Sequence, residues 1–151
     1  MLVCAKVITF NYCNTDSGQL AKFGVMSVAY FRLNRIELGP DNILYVYPEA
    51  DEILNAEDMK EMMVLLQEKA ESVPFRLMFV IKEHQFLLTK DARELLKNNH
   101  EAKESIIAHA AVFDSLSLQI LFDLLIRLYR PPYPLKVFQR VEDAQEWLRT
   151  Q

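Results

Sequence analysis

Glycine is scarce in this chain, with three among 151 residues, at Gly18, Gly24 and Gly39. A phosphate cradle such as G-x-G-x-x-G or a P-loop needs closely spaced glycines, because its backbone must turn tightly and approach the anion. These positions cannot build one. Cysteine is limited to Cys4 and Cys13. Two thiols near the N-terminus with no partner set fit a reducing cytoplasm better than a disulfide framework or half of a zinc site. His84, His100 and His109 are too scattered to complete a metal-ligand spacing. No apolar run reaches the ~18–20 residues of a membrane span. Residues 1–10 lack the small-residue cleavage site of a secretory signal. Basic charge is also short: 17 Lys plus Arg stand against 21 Asp plus Glu, for a net charge of −4. With a sequence pI of about 5.4, the chain lacks the basic field that nucleic acid binding draws on. The expectation is a cytoplasmic protein with no cofactor, no metal, no membrane span and no nucleic acid partner.

What is present is ordinary globular composition, 51% hydrophobic and 25% charged, enough for one domain with a sizeable core. A soft turn at 14–18 suggests an N-terminal extension over 1–28, in which 3–10 and 23–28 could be strands, and a main domain over 29–151. Residues 30–38 and 43–47, separated by Gly39-Pro40-Asp41-Asn42, read as a β-hairpin. Asn55 suits a helix N-cap, and Glu57 and Asp58 place negative charge at the positive end of the dipole. Met59, Met62, Met63, Leu66, Ala70 and Val73 then follow helical spacing up to Pro74.

Residues 75–81 form a short apolar run suited to a central strand. A second helix starts at Thr89, with Ala92, Leu95 and Leu96 inward. Residues 106–113 read as a strand whose alanines let a helix approach closely. The next helix covers 115–129, and Pro131, Pro132 and Pro134 forbid its continuation. A strand at 135–138 and a helix at 141–149, with Trp147 packed under it, complete an α/β sandwich: a mixed sheet of about five strands with four helices.

Chemistry is harder to find. His109, mid-strand among alanines, reads as a satisfied core or interface histidine. Asp114-Ser115 follows an apolar strand but lacks the glycines of a nucleophile elbow, so helix capping is the plainer account. Glu49, Asp51, Glu52, Glu57 and Asp58 make an acidic rim that reads as a solvated face, and the methionines read as core filler. One feature exceeds these accounts. The helix over 115–129 is apolar on nearly every side, whereas one sheet face needs only a stripe. The excess calls for a second subunit, the N-terminal extension or a ligand.

Several segments carry a resemblance: Asn42-Ile43-Leu44-Tyr45-Val46-Tyr47, Leu88-Thr89-Lys90-Asp91-Ala92-Arg93, Val112-Phe113-Asp114-Ser115, the proline-rich Arg130–Phe138 stretch, and Glu142-Asp143-Ala144-Gln145-Glu146-Trp147-Leu148. In order and spacing the chain from about Ala29 onward resembles the SpoIIAA-like group of STAS and lipid-transfer-type folds. It is most similar to small bacterial STAS-like proteins of unknown function, of the Bacteroidetes type. In anti-sigma-factor antagonists of this group, a turn of sequence Asp-Ser-Ser-Gly opens a helix and is phosphorylated by a partner kinase. The turn here is Thr89-Lys90-Asp91-Ala92, which has no serine and puts Asp91 where the phosphorylated residue would be.

The resulting expectation is a non-enzymatic, homodimeric regulatory or protein-interaction module of STAS-like type. Thr89, Lys90 and Asp91 would face a partner, and Leu118, Phe122, Leu125 and Tyr129 would mediate self-association. The alternative is a carrier of a small apolar or lipid ligand held between helices and sheet.

Overall fold

The computed structural model describes residues 8–9, 27–39, 41–82, 86–99 and 104–151, with Ile8, Thr9, Ser27 and Phe86 described by their backbone alone. Cys4, Cys13, His84, His100 and the expected turn at 14–18 lie outside the described residues. In chain order the elements are β1 (Ile8–Thr9), β2 (Ser27–Phe31), β3 (Asn34–Leu38), β4 (Ile43–Pro48), β5 (Glu52–Leu54), α1 (Ala56–Lys69) and β6 (Phe75–Ile81). They continue with β7 (Phe86–Leu88), α2 (Lys90–Asn98), β8 (Ile106–Phe113), α3 (Leu116–Tyr129), β9 (Leu135–Phe138) and α4 (Val141–Arg149). A seven-stranded sheet runs β1-β2-β3-β4-β6-β8-β9, and β5 pairs with β7 in a separate two-stranded sheet. The meander β1 to β4 is antiparallel; β4, β6, β8 and β9 are parallel, as helical crossovers require.

The main sheet therefore has seven strands rather than about five. Part of the difference lies in 30–38, which is not one strand. Arg32 and Leu33 form a two-residue turn between paired Phe31 and Asn34. Arg32 has φ 52, where glycine would be unstrained. Its side chain supplies the compensation, sitting 2.8 Å from both Glu52 Oε1 and Asp58 Oδ1. The division expected between residues 28 and 29 falls inside β2. Gly39 is needed for space, because a Cβ there would lie 2.7 Å from the Tyr45 ring.

Helix α1 starts as its sequence dictates. Asn55 Oδ1 accepts from the Glu57 and Asp58 amides, and Asp58 accepts from the Asn55 amide, completing a capping box. It ends at Lys69, earlier than Val73, because Glu71 and Ser72 turn left-handed at φ 53 and 59. Val73 is consequently exposed rather than part of the apolar stripe.

Two cores flank the sheet. α1, α2 and α3 pack on one face, against Leu77, Phe79, Ile81 and Phe113. α4 packs on the other, where Ala144 and Leu148, both fully buried, meet Ile43, Met78, Val80, Ala108 and Ala110. The alanines of β8 do admit a close helix, and that helix is α4. Polar ties reinforce it: Arg76 Nε donates to the Leu148 carbonyl at 2.8 Å, Gln145 Nε2 to Tyr45 Oη at 2.9 Å, and Arg149 Nε to Asp41 at 2.7 Å. Trp147 is half-buried, its ring 5.5 Å from that of Phe138. Trp147→Ala is expected to cost about 1–3 kcal/mol in urea unfolding, short of the ~3–5 of a fully buried tryptophan.

Candidate functional site

The crossover helices do not close completely over the sheet. Under α3 lies a cavity of about 130 Å³ with almost wholly apolar walls. Its floor comes from alternate residues of β6 (Leu77, Phe79, Ile81) and from His109 and Ala111 of β8. Met59, Met62 and Met63 of α1 form one wall, and Phe122, Leu125, Ile126 and Tyr129 of α3 form the roof. Leu96, Arg93 and Lys97 of α2 and Pro131 and Tyr133 beyond α3 complete it. The space exists because α3 buries no residue fully: it rests on the sheet through half-buried side chains. The helix stops at Arg130, whose amide bonds the Ile126 carbonyl at 2.8 Å in a left-handed C-cap.

His109 is the chemically distinctive member of the floor. Its backbone amide is taken by the Pro134 carbonyl at 2.8 Å, and its ring lies 5.2 Å from Phe79 and 6.1 Å from Tyr133. Both ring nitrogens are sealed from solvent without a hydrogen-bond partner. Burial pushes the imidazole down to about 3, so it is neutral at ordinary pH. Burial likewise pushes the Tyr133 phenol up to about 12. The satisfied core histidine expected from the sequence is instead an unsatisfied one facing a cavity.

Arg93 is similarly placed. Its Nη1 donates to the Leu88 carbonyl, its Nε is buried without a partner, and its guanidinium lies 5.9 Å from the Tyr129 ring centroid.

The expected self-association residues Leu118, Phe122, Leu125 and Tyr129 lie on the inward side of α3. Leu118 and Phe122 join the core, and Leu125 and Tyr129 line the cavity. The free apolar stripe is on the opposite side, at Leu116, Ile120, Leu124 and Leu128, which are 64, 62, 62 and 68% exposed. A helix apolar all round gives no phase from its sequence, and only packing distinguishes its two faces.

At the other expected site, Thr89 stands at the N-cap of α2 without a side-chain capping bond. Its hydroxyl and amide both donate to the Leu54 carbonyl, at 3.2 and 3.0 Å. Asp91 accepts from the Ala56 amide at 3.1 Å, joining the start of α2 to that of α1. Hydrogen bonds from Thr89 and then from Ala56 hold its carboxyl below the usual carboxylate range. Lys90 is exposed, 3.9 Å from Glu94. Asp91→Asn is therefore expected to lower the melting midpoint modestly at neutral pH. The gap should close in acid, once the wild-type carboxyl is protonated too.

Ser115, likewise at an N-cap position, makes no side-chain capping bond. The acidic rim is not simply solvated either: Glu52 is buried, accepts from Asn34 and pairs with Arg32.

Sequence reasoning offered a ligand held between helices and sheet but did not place the cavity or name His109 and Arg93 as lining it. The available signals were a histidine amid alanines in a central strand and an arginine next to Ala92 on a helix whose apolar side faces inward.

This helix–sheet architecture is that of a SpoIIAA-like α/β protein. The crystal structure of an uncharacterized protein of the DUF3478 family from Shewanella loihica PV-4, which has a SpoIIAA-like fold, superposes with a TM-score of 0.51. The two share 20% identity over 76% of this chain and 91% of that one. The SpoIIAA-like fold expected from the sequence is the fold observed. Residues 36–151 match the profile of a domain of unknown function, DUF7793, and the chain belongs to that family. No curated protein matches it. Among the described residues no helix is long and apolar enough to cross a membrane.

Proposed function

We propose that this chain is a non-enzymatic cytoplasmic module that binds a small apolar ligand between α1–α3 and the sheet. The observation that carries this reading is the cavity whose apolar wall holds two unpartnered imidazole nitrogens. Each such buried polar atom costs about 1–3 kcal/mol. An apolar ligand that fills the volume of about 130 Å³ gains packing contacts with these walls, while the imidazole nitrogens stay unpartnered.

The test is calorimetry with six-carbon apolar probes such as benzene and cyclohexane, paired with thermal melting. Binding at about ten times the dissociation constant is expected to add about 1.4 kcal/mol and raise the midpoint by about 3–5 °C. Enlarging the contacts by Ala111→Leu fills the space from within and should abolish the shift. Probes that leave the midpoint of the wild type unchanged would refute the reading.

A second reading, homodimerisation as part of a regulatory or protein-interaction role, is favoured by the stripe Leu116, Ile120, Leu124 and Leu128. Such a run of exposed large residues on one helix is what a self-complementary interface covers. Light scattering at micromolar concentration should give a dimer mass that Leu124→Glu reduces to a monomer without altering the circular dichroism. A monomer mass for the wild type would remove this reading. Partner recognition through Thr89, Lys90 and Asp91 has weaker support, since the Asp91 carboxylate already serves the Ala56 amide.

A further inference from the structure

We propose that the ligand of the cavity is a small monocarboxylic acid, its tail of about six carbons lying beneath α3 and its carboxylate held by Arg93, with Lys97 beside it at the rim. The inference rests on the apolar-ligand reading above and adds to it the chemistry of the head group.

The carboxylate is called for by an uncompensated cation. Arg93 is half-buried, lines a mostly apolar cavity, and makes no ion pair among the described residues. Among the described residues no carboxylate pairs with this half-buried guanidinium, and pairing lowers the cost of withdrawing a charge from water. The neighbouring acids of α2 are already engaged: Asp91 accepts from the Ala56 amide and Glu94 pairs with Lys90. Lys97, four residues on and therefore on the same side of α2, adds a second positive charge to the cavity lining. Phosphate esters, with a larger and more strongly hydrated head, suit this rim less well than a single planar carboxylate.

The tail is limited by volume. An apolar cavity of about 150 Å³ accommodates benzene, and the space here is about 130 Å³. A phenyl ring or a short chain fits; the tail of a long-chain fatty acid does not. Phe79, Tyr133 and Phe122 supply ring faces and edges suited to an aromatic tail.

The experiment titrates the full chain with phenylacetate, 2-phenylethanol and 2-phenylethylamine, which share a tail and differ in head charge, and with hexanoate. The acid is expected to bind about tenfold more tightly than the alcohol and more tightly still than the amine, with added salt narrowing the gap. Arg93→Gln should erase the preference and Arg93→Lys should retain most of it. Because Arg93 also bonds the Leu88 carbonyl, the exposed Lys97→Gln provides a second variant, expected to reduce the preference about two- to threefold in a fully folded protein. Equal affinity for acid and alcohol would overturn the carboxylate assignment and leave the apolar-ligand reading standing. Failure of all four probes to bind would overturn both.

Discussion

Between pH 6.5 and 3, the wild-type protein loses stability more steeply than a His109→Leu variant, by about 1.4 kcal/mol for each pH unit. The cause is the imidazole buried under α3, whose pKa lies at about 3 against an ordinary 6.5. The unfolded chain binds a proton that the native state refuses. The contribution is therefore fully present above pH 6.5, erodes as the pH falls, and is exhausted near pH 3, a total of about 5 kcal/mol. Among the described residues no carboxylate lines the cavity to offset the charge, and the charged ones that do, Arg93 and Lys97, are both positive. Carboxylates elsewhere, Asp91 among them, give both proteins a common acid limb, so the difference isolates His109. At pH 7 the leucine variant is expected to match or exceed the wild type, having shed two unpartnered polar atoms. Urea midpoints at pH 7, 5 and 3.5 make the comparison. Parallel acid limbs would mean that the imidazole protonates freely and that water reaches it.

Phe113→Ala is expected to destabilise the protein by about 3–5 kcal/mol, lowering the melting midpoint by roughly 10 °C. Phe113 ends β8, is 1% exposed, and its ring centroid lies 4.4 Å from that of Phe122. The substitution removes the main anchor of α3 and leaves a void beneath it. Leu128→Ala on the outer side of the same helix, 68% exposed, should stay within about 0.5 kcal/mol in a dilute monomer. Comparable losses at the two positions would show that the outer stripe is covered in solution.

These contrasts show what the sequence made legible. Elements written in strong local terms were readable to the residue. β6, β8 and β9 are apolar runs bounded by Pro74, the Asp114-Ser115 break and the 131–134 proline cluster, and α1 opens on a full capping box. The turn at Arg32-Leu33 was hidden because it uses an arginine where glycine is the usual signal, and its compensating ion pairs come from residues 20 or more positions away. β5 and β7, three residues each, are too short for any period to register. The fold class followed from the alternation of strands and helices, which many chains share.

The site followed from nothing local. The cavity is a failure of α1, α2 and α3 to meet, and no residue encodes a gap. The inward and outward sides of α3 are equally apolar, and the four residues expected to mediate self-association are on the side turned toward the core and the cavity.

The placement of α4 has a consequence in time. Among the described residues it is the helix that covers the second face of the sheet, and its tie from Arg149 reaches back 108 residues to Asp41. During synthesis at about 5–20 residues per second, the apolar face built by Ile43, Met78 and Val80 waits roughly 3–14 s for its lid. The first face acquires α1 much sooner. The nascent chain thus passes through an interval in which one side is nearly assembled and the other still lacks its helix, and exposed apolar surface of that kind is prone to aggregate.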